Sequence, residues 1–189
     1  RGANMKKQLK MFDDYFINLI NSRMKNKYLD IFMYRVTDLG GAIFITIFTL
    51  GLVIFGSDEN KLIGVEALLS LAISQIIVHS LKRIMSRERP YKIIEHLNTF
   101  GIDLSDYSFP SGHTTASFSL ATTLALNLPK FTLIVILLAS LIAISRIYLG
   151  VHYPTDVAAG LILGISSPII VHLYLANFIE KLGVFIGIS

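Results

Sequence analysis

Three short stretches of this sequence carry residue types that together suit one reaction. In the first, Lys82-Arg-Ile-Met-Ser-Arg-Glu-Arg89-Pro90, two cations stand seven residues apart. Seven residues is about two helical turns, so Lys82 and Arg89 are expected on one side of a helix that Pro90 ends. The second, Pro110-Ser111-Gly112-His113, combines a favoured N-cap residue, a glycine that permits close backbone approach and an imidazole. A helix starting there turns free amides and its positive dipole end toward an anion. The third, Ser145-Arg146 followed by His152-Tyr153-Pro154-Thr155-Asp156, adds a guanidinium, a second imidazole and a carboxylate. Pro154 suits the first turn of a helix, from which Asp156 is expected to reach back and orient His152. Phosphoryl transfer needs such a set: cations for the equatorial oxygens, an in-line nucleophile and an acid for the leaving oxygen. Arginine grips phosphate with a fork of donors, lysine as a point charge.

The elements that must position these residues are apolar. Of 189 residues, 53% are hydrophobic and 16% charged, and mean hydropathy is +0.61. Soluble domains carry about 25% charged residues, so an ordinary cytosolic domain is excluded. The long apolar runs also exclude a disordered or nucleic-acid-binding chain. With no cysteine, disulfides and thiolate metal sites are excluded. Crossing a bilayer takes about 17–25 apolar residues as a helix. The blocks Leu39–Gly56, Leu62–Leu81, Thr114–Leu128, Phe131–Ser145 and Val157–Ile179 predict about five spans joined by tight turns. The fold class read from this pattern is all-α, a polytopic transmembrane helical bundle.

Residues 1–38 differ. Leu9, Phe12, Phe16, Leu19 and Ile20, then Leu29, Phe32, Met33 and Val36, recur at helical spacing with basic residues between. They predict N-terminal amphipathic helices lying in the membrane interface. Arg1–Asn4 precede the first methionine and read as a leftover of expression. Five spans put residues 1–38, 82–112 and 146–156 on one face, which therefore holds all three chemical stretches. The 31 residues from Lys82 to Gly112 form a loop of the length that usually carries function.

The spacing K-x6-R-P, then P-S-G-H, then S-R-x5-H-x3-D resembles that of the type 2 phosphatidic acid phosphatase family, which shares its site with vanadium haloperoxidases. The resemblance covers residues 62 to about 175 and the pattern is complete. It implies that residues 39–189 form a transmembrane phosphatase domain. It also implies that His152 attacks phosphorus and becomes a phospho-histidine, that Asp156 orients it, and that His113 protonates the leaving group. Lys82, Arg89, Arg146, Ser111 and the Gly112 amide would hold the phosphate, with no metal and no cofactor. The implied enzyme is a membrane lipid phosphatase acting on polyprenyl diphosphate, phosphatidylglycerol phosphate or phosphatidic acid, the first ranked ahead. Its partners would be the lipid substrate and the bilayer, without nucleic acid; protein partners are not legible.

Three other classes compete. The phospho-histidine could pass its group to a lipid or sugar acceptor. A vanadate-dependent peroxidase is disfavoured because those relatives are soluble, and a transporter because no internal repeat is present. Among remaining residues, Arg83, Arg87 and Lys92 read as anchors snorkelling to headgroups. His96 and His172 read as structural, and Glu66 as paired inside the bundle. His79, about one turn before Lys82, is a candidate for the floor of the site, and Gly160-x3-Gly164 reads as a helix-packing feature. The sidedness signals conflict. Fourteen of the 17 Lys and Arg fall on the chemical face, which the positive-inside rule would put in the cytoplasm. The family more often shows this site to the outside of a bacterial plasma membrane, and that orientation is the expectation adopted.

Overall fold

In the computed structural model residues 2–185 are described; Arg1 and residues 186–189, at the edges of the two expected segments, lie outside them. Among the described residues the chain is helical: α1 (Gly2–Ile17), α2 (Lys27–Val36), α3 (Ala42–Phe55), α4 (Asp58–Met85), a single turn α5 (Pro90–Ile93), α6 (Gly112–Asn127), α7 (Thr132–Tyr148) and α8 (Pro154–Phe185). Three helices, within Asp58–Ile93, Pro129–Tyr148 and Pro154–Phe185, are long and apolar enough to span a membrane. Lys27–Gly40 and Ala42–Phe55, bent by 51° to one another, supply a fourth span if taken together.

The expected five spans therefore need two refinements: α3, at 14 residues, reaches spanning length only together with α2, and the other lies at α6. It has 16 residues and is enclosed by α4, α7 and α8. Its Thr114, Thr115, Ser117, Ser119, Thr122 and Thr123 are buried. Small hydroxyl side chains let neighbouring backbones approach closely. The Gly160–Gly164 stripe of α8 faces α6 just there: a Cβ on Gly160 would lie 2.7 Å from the Ser111 carbonyl, and one on Gly164 would lie 2.7 Å from Phe118 Cβ. The glycines are what let α8 sit directly on the start of α6.

The N-terminal helices pack on the chemical face. Leu9 and Phe12 of α1 are exposed, whereas Asp13, Ile17 and, one turn beyond, Asn21 are buried. Leu9 and Phe12 thus point away from the bundle, Ile20 packs against its core, and an i, i+4 stripe carrying a carboxylate points inward. On α2, Met33 and Val36 pack with Ile142, Tyr148, Leu149 and Val151. Asn21 ties the two ends of the chemical face together, its Nδ2 donating to the Tyr148 and Asn98 carbonyls at 2.7 and 2.9 Å.

One local expectation fails. Lys82 and Arg89 do not share a helix, because α4 ends at Met85 and Ser86 takes a left-handed conformation with φ 44°. Residues 86–89 then run on outside any helix, and Arg89 leads into α5 with extended backbone (ψ 149°). Pro90 is the first residue of the next turn rather than the end of α4.

Candidate active site

The turn after α7 and the start of α8 form the floor. The backbone N–H groups of Val151 and His152 both donate to the Arg146 carbonyl at 3.2 Å, and Gly150, at φ +68°, makes the reversal possible. This fold-back buries His152, which is 1% exposed. The Ser111 N–H donates to the Asp156 carbonyl at 3.1 Å, which joins the second stretch to the third. Ser111 is the N-cap of α6: its hydroxyl accepts from the Thr114 N–H at 3.4 Å, as expected.

Three cations converge over this floor. Lys82, Arg89 and Arg146 are all buried. Arg89 Nη1 donates to the Val151 carbonyl at 2.9 Å and to His152 Nε2 at 3.2 Å. A guanidinium has no lone pair to offer, so Nε2 is the acceptor and the ring's proton sits on Nδ1. Arg146 Nη1 donates to Thr37 Oγ1 at 2.7 Å, while its buried Nε has no hydrogen-bond partner. Burial, with the charges of Arg146, Arg89 and Lys82, holds His152 well below the usual imidazole range. His113, half-buried in the first turn of α6, has Arg146, His152, Lys82 and Arg89 as its electrostatic neighbours.

The seven side chains singled out from sequence, and the Gly112 amide, are thus brought to one face. The orienting contact is the exception. His152 Nδ1 and Asp156 Oδ2 are 3.7 Å apart, beyond a hydrogen bond, and Nδ1 has no partner. Asp156 Oδ2 instead accepts from the Tyr153 N–H at 2.8 Å, and Oδ1 from Arg87 Nη1 at 2.6 Å.

Four residues escaped the sequence reading. Arg87, expected as a headgroup anchor, turns inward to Asp156 and stacks over the Tyr153 ring at 4.0 Å. It could not have been placed from a helical wheel, since it stands after α4 has ended. Asp13 reaches Arg87 from α1. Asp106, on the long loop, pairs with both Lys82 and Arg89. Thr37 holds Arg146. His79, considered for the floor, is exposed on α4. At the far end of the bundle Glu66 is paired as expected, with His172 Nδ1 at 2.9 Å and Asn127 Nδ2 at 3.0 Å.

A profile of the PAP2 superfamily matches residues 63–180, well over half the chain and all three stretches. The chain belongs to the PAP2 superfamily. It is 34% identical over 125 residues to the bacitracin transport permease protein BcrC of Bacillus licheniformis, 65% of this chain and 62% of that one. To the undecaprenyl-diphosphatase of Sulfolobus acidocaldarius it is 36% identical over 107 residues, 56% of this chain and 52% of that one. The chain therefore spans little more than half the length of these curated relatives. Among solved structures, Aquifex aeolicus LpxE superposes with a TM-score of 0.77 at 32% identity, covering 86% of this chain and 95% of that one. A PAP2-type phosphatidylglycerolphosphate phosphatase from Bacillus subtilis gives 0.68 at 26%, covering 94% and 87%.

Proposed function

We propose that this PAP2 protein is a membrane lipid phosphatase that hydrolyses a terminal phosphate through a phospho-histidine. The observation that carries this reading is the orphaned Nε of Arg146, buried beside Lys82, Arg89 and His152 Nε2. A buried charged donor without a partner is costly unless a ligand completes it. What fits between three cations and an imidazole lone pair is a tetrahedral anion.

In the first step the Nε2 lone pair of His152 attacks phosphorus and the bond to the leaving oxygen breaks. His113 gives that oxygen its proton. The imidazole becomes cationic, and the nearby Asp156 carboxylate stabilises that charge across a gap that closes as Nδ1–H turns toward it. In the second step water attacks the phospho-histidine, His113 takes the water's proton, and inorganic phosphate leaves with His152 neutral again. Lys82, Arg89, Arg146, Ser111 and the Gly112 amide hold the phosphate oxygens throughout. The charge-stabilising donors are already in place, which is the usual source of the largest rate gain.

A site at the end of the spans meets a lipid headgroup at the bilayer surface. The lipid-phosphate names among the relatives support that class, with polyprenyl diphosphate ranked ahead of phosphatidylglycerol phosphate. The proposed location is a bacterial plasma membrane with the site outward. Protease access to a tag placed after α8 in intact cells tests this, since α8 starts at the site and runs to the opposite face, so the tag should be protected. The activity itself is tested by phosphate release from each lipid in detergent micelles, with acid-labile phosphoenzyme trapped by rapid quench. His152→Ala should abolish both. Full turnover in that variant would remove the nucleophile.

A further inference from the structure

Asp13 is 2% exposed, an unusual state for a carboxylate on an interfacial helix. All its partners belong to the nucleophile's surroundings. Oδ1 accepts from the Thr155 N–H at 3.0 Å; Oδ2 accepts from Thr155 Oγ1 and from Arg87 Nη2, each at 2.7 Å. Thr155 immediately precedes Asp156 in the first turn of α8, where backbone N–H groups lack helical acceptors. Arg87 uses its other arm, Nη1, for Asp156 Oδ1 at 2.6 Å and Thr155 Oγ1 at 2.8 Å. One planar guanidinium therefore spans two buried carboxylates, Asp13 and Asp156, and fixes the distance between them.

We infer that Asp13 is a positioning residue for the phosphoryl-transfer step, acting through Arg87 on Asp156 and so on His152. The inference rests on the proposed histidine mechanism. Two effects follow from the geometry. Asp13 shares the charge of Arg87, which otherwise would bear wholly on Asp156 and weaken it as the partner of the His152 imidazolium. It also anchors the first turn of α8 from outside, which fixes the rotamer that Asp156 presents. Burial opposes the charge on Arg87, but Asp156 and Asp13 outweigh it and hold the guanidinium above its ordinary range, so the link stays charged at every working pH. Neither Asp13 nor Arg87 touches Lys82, Arg89 or Arg146, so phosphate binding should not depend on them.

The test is a double-mutant cycle on the full chain in detergent, with Asp13→Asn and Arg87→Gln, assayed by phosphate release from polyprenyl diphosphate. Asn keeps the shape and one acceptor for Thr155, so the fold should hold; the thermal midpoint checks this. Asp13→Asn should lower kcat roughly tenfold with KM within about twofold, and should add little in the Arg87→Gln background. Should Asp13→Asn fail to fold, Arg87→Lys, which keeps the charge but spans one carboxylate only, should show the same loss in kcat. A rise in KM alone, equal losses in both backgrounds, or wild-type kcat in the variant overturns the inference. No turnover by the unsubstituted chain overturns the functional reading instead. The inference then still faces nitrogen NMR of His152, assigned by signal loss in His152→Gln. Asp13→Asn should shift its ring resonances, and unshifted resonances overturn it.

Discussion

Asp106 stands on two of the cations to which the proposed mechanism gives the substrate phosphate. Its carboxylate pairs with Lys82 and Arg89 from the long loop, and Arg89 Nε also donates to its backbone carbonyl at 2.9 Å. Burial pushes the carboxyl up, but the Lys82 and Arg89 contacts outweigh it and bring it down to about 2 from 3.8. Taken whole, that gap is worth roughly 2.5 kcal/mol. Half of the side chain is exposed, so solvent screening reduces it to about 1 kcal/mol. The folded carboxyl lies below its free value, so this contribution is fully present above pH about 4 and fades only as pH falls toward 2. At any working pH the phosphate must displace an ionised Asp106.

Asp106→Asn removes the charge and keeps the shape. Inorganic phosphate and vanadate, measured as competitive inhibitors, should then bind roughly fivefold more tightly, the equivalent of about 1 kcal/mol. KM for a lipid phosphate should fall with them, since the same displacement precedes substrate binding. Weaker inhibition in Asp106→Asn would refute the reasoning, because it would mean that Asp106 holds Lys82 and Arg89 in place for the phosphate.

His113→Ala should slow hydrolysis of an alkyl phosphate by about 10²–10⁴-fold and that of nitrophenyl phosphate far less, as an acid is needed only for a poor leaving group; equal losses would remove that role. With the His152 imidazole held below its ordinary range, the nucleophile stays neutral well below pH 6.5, so the acid limb of kcat/KM should lie below that value; a limb above it would contradict the site's electrostatics. Gly164→Val should destabilise the chain by about 2 kcal/mol through overpacking against Phe118 and the Thr115 carbonyl, read as a lowered thermal midpoint. Turnover should survive excess chelator, because three buried cations repel a divalent ion from the place where it would act; loss restored by Mg²⁺ would refute this.

Most of the cluster of cations, imidazoles and Asp156 was legible because its residues lie at fixed offsets beside apolar blocks. Ser111, Arg146, His152 and Asp156 sit within a few residues of helix ends, where spacing determines placement. What was not legible came from two physical sources. Ser86 breaks α4 by a left-handed residue that no glycine announces, so the wheel that paired Lys82 with Arg89 was applied past the end of its helix, and Arg87, read as a basic residue flanking a span, turns inward instead. Asp13, Thr37 and Asp106 act across long sequence separations, and nothing local in a carboxylate on an amphipathic helix says which side it faces. Leu9 and Phe12 of α1, read as an apolar stripe, are exposed. The buried opposite stripe, Asp13, Ile17 and Asn21, follows from the same periodicity, but only the structure shows that a protein surface waits there.

The same geometry bears on why the proposed nucleophile stands on a turn rather than on a helix. His152 must present Nε2 to the cations while Nδ1 faces Asp156, four residues on. The reversal at Gly150, held by the Arg146 carbonyl, points the ring at Arg89 and leaves Asp156 to start α8. Arg146 thereby serves twice: its carbonyl shapes the loop that carries His152, and its guanidinium keeps an unpartnered donor, Nε, for the proposed phosphate. A side-chain change such as Arg146→Lys would keep the carbonyl and the turn while losing the fork. The loop and the anion pocket are therefore separable in experiment, although one residue supplies both.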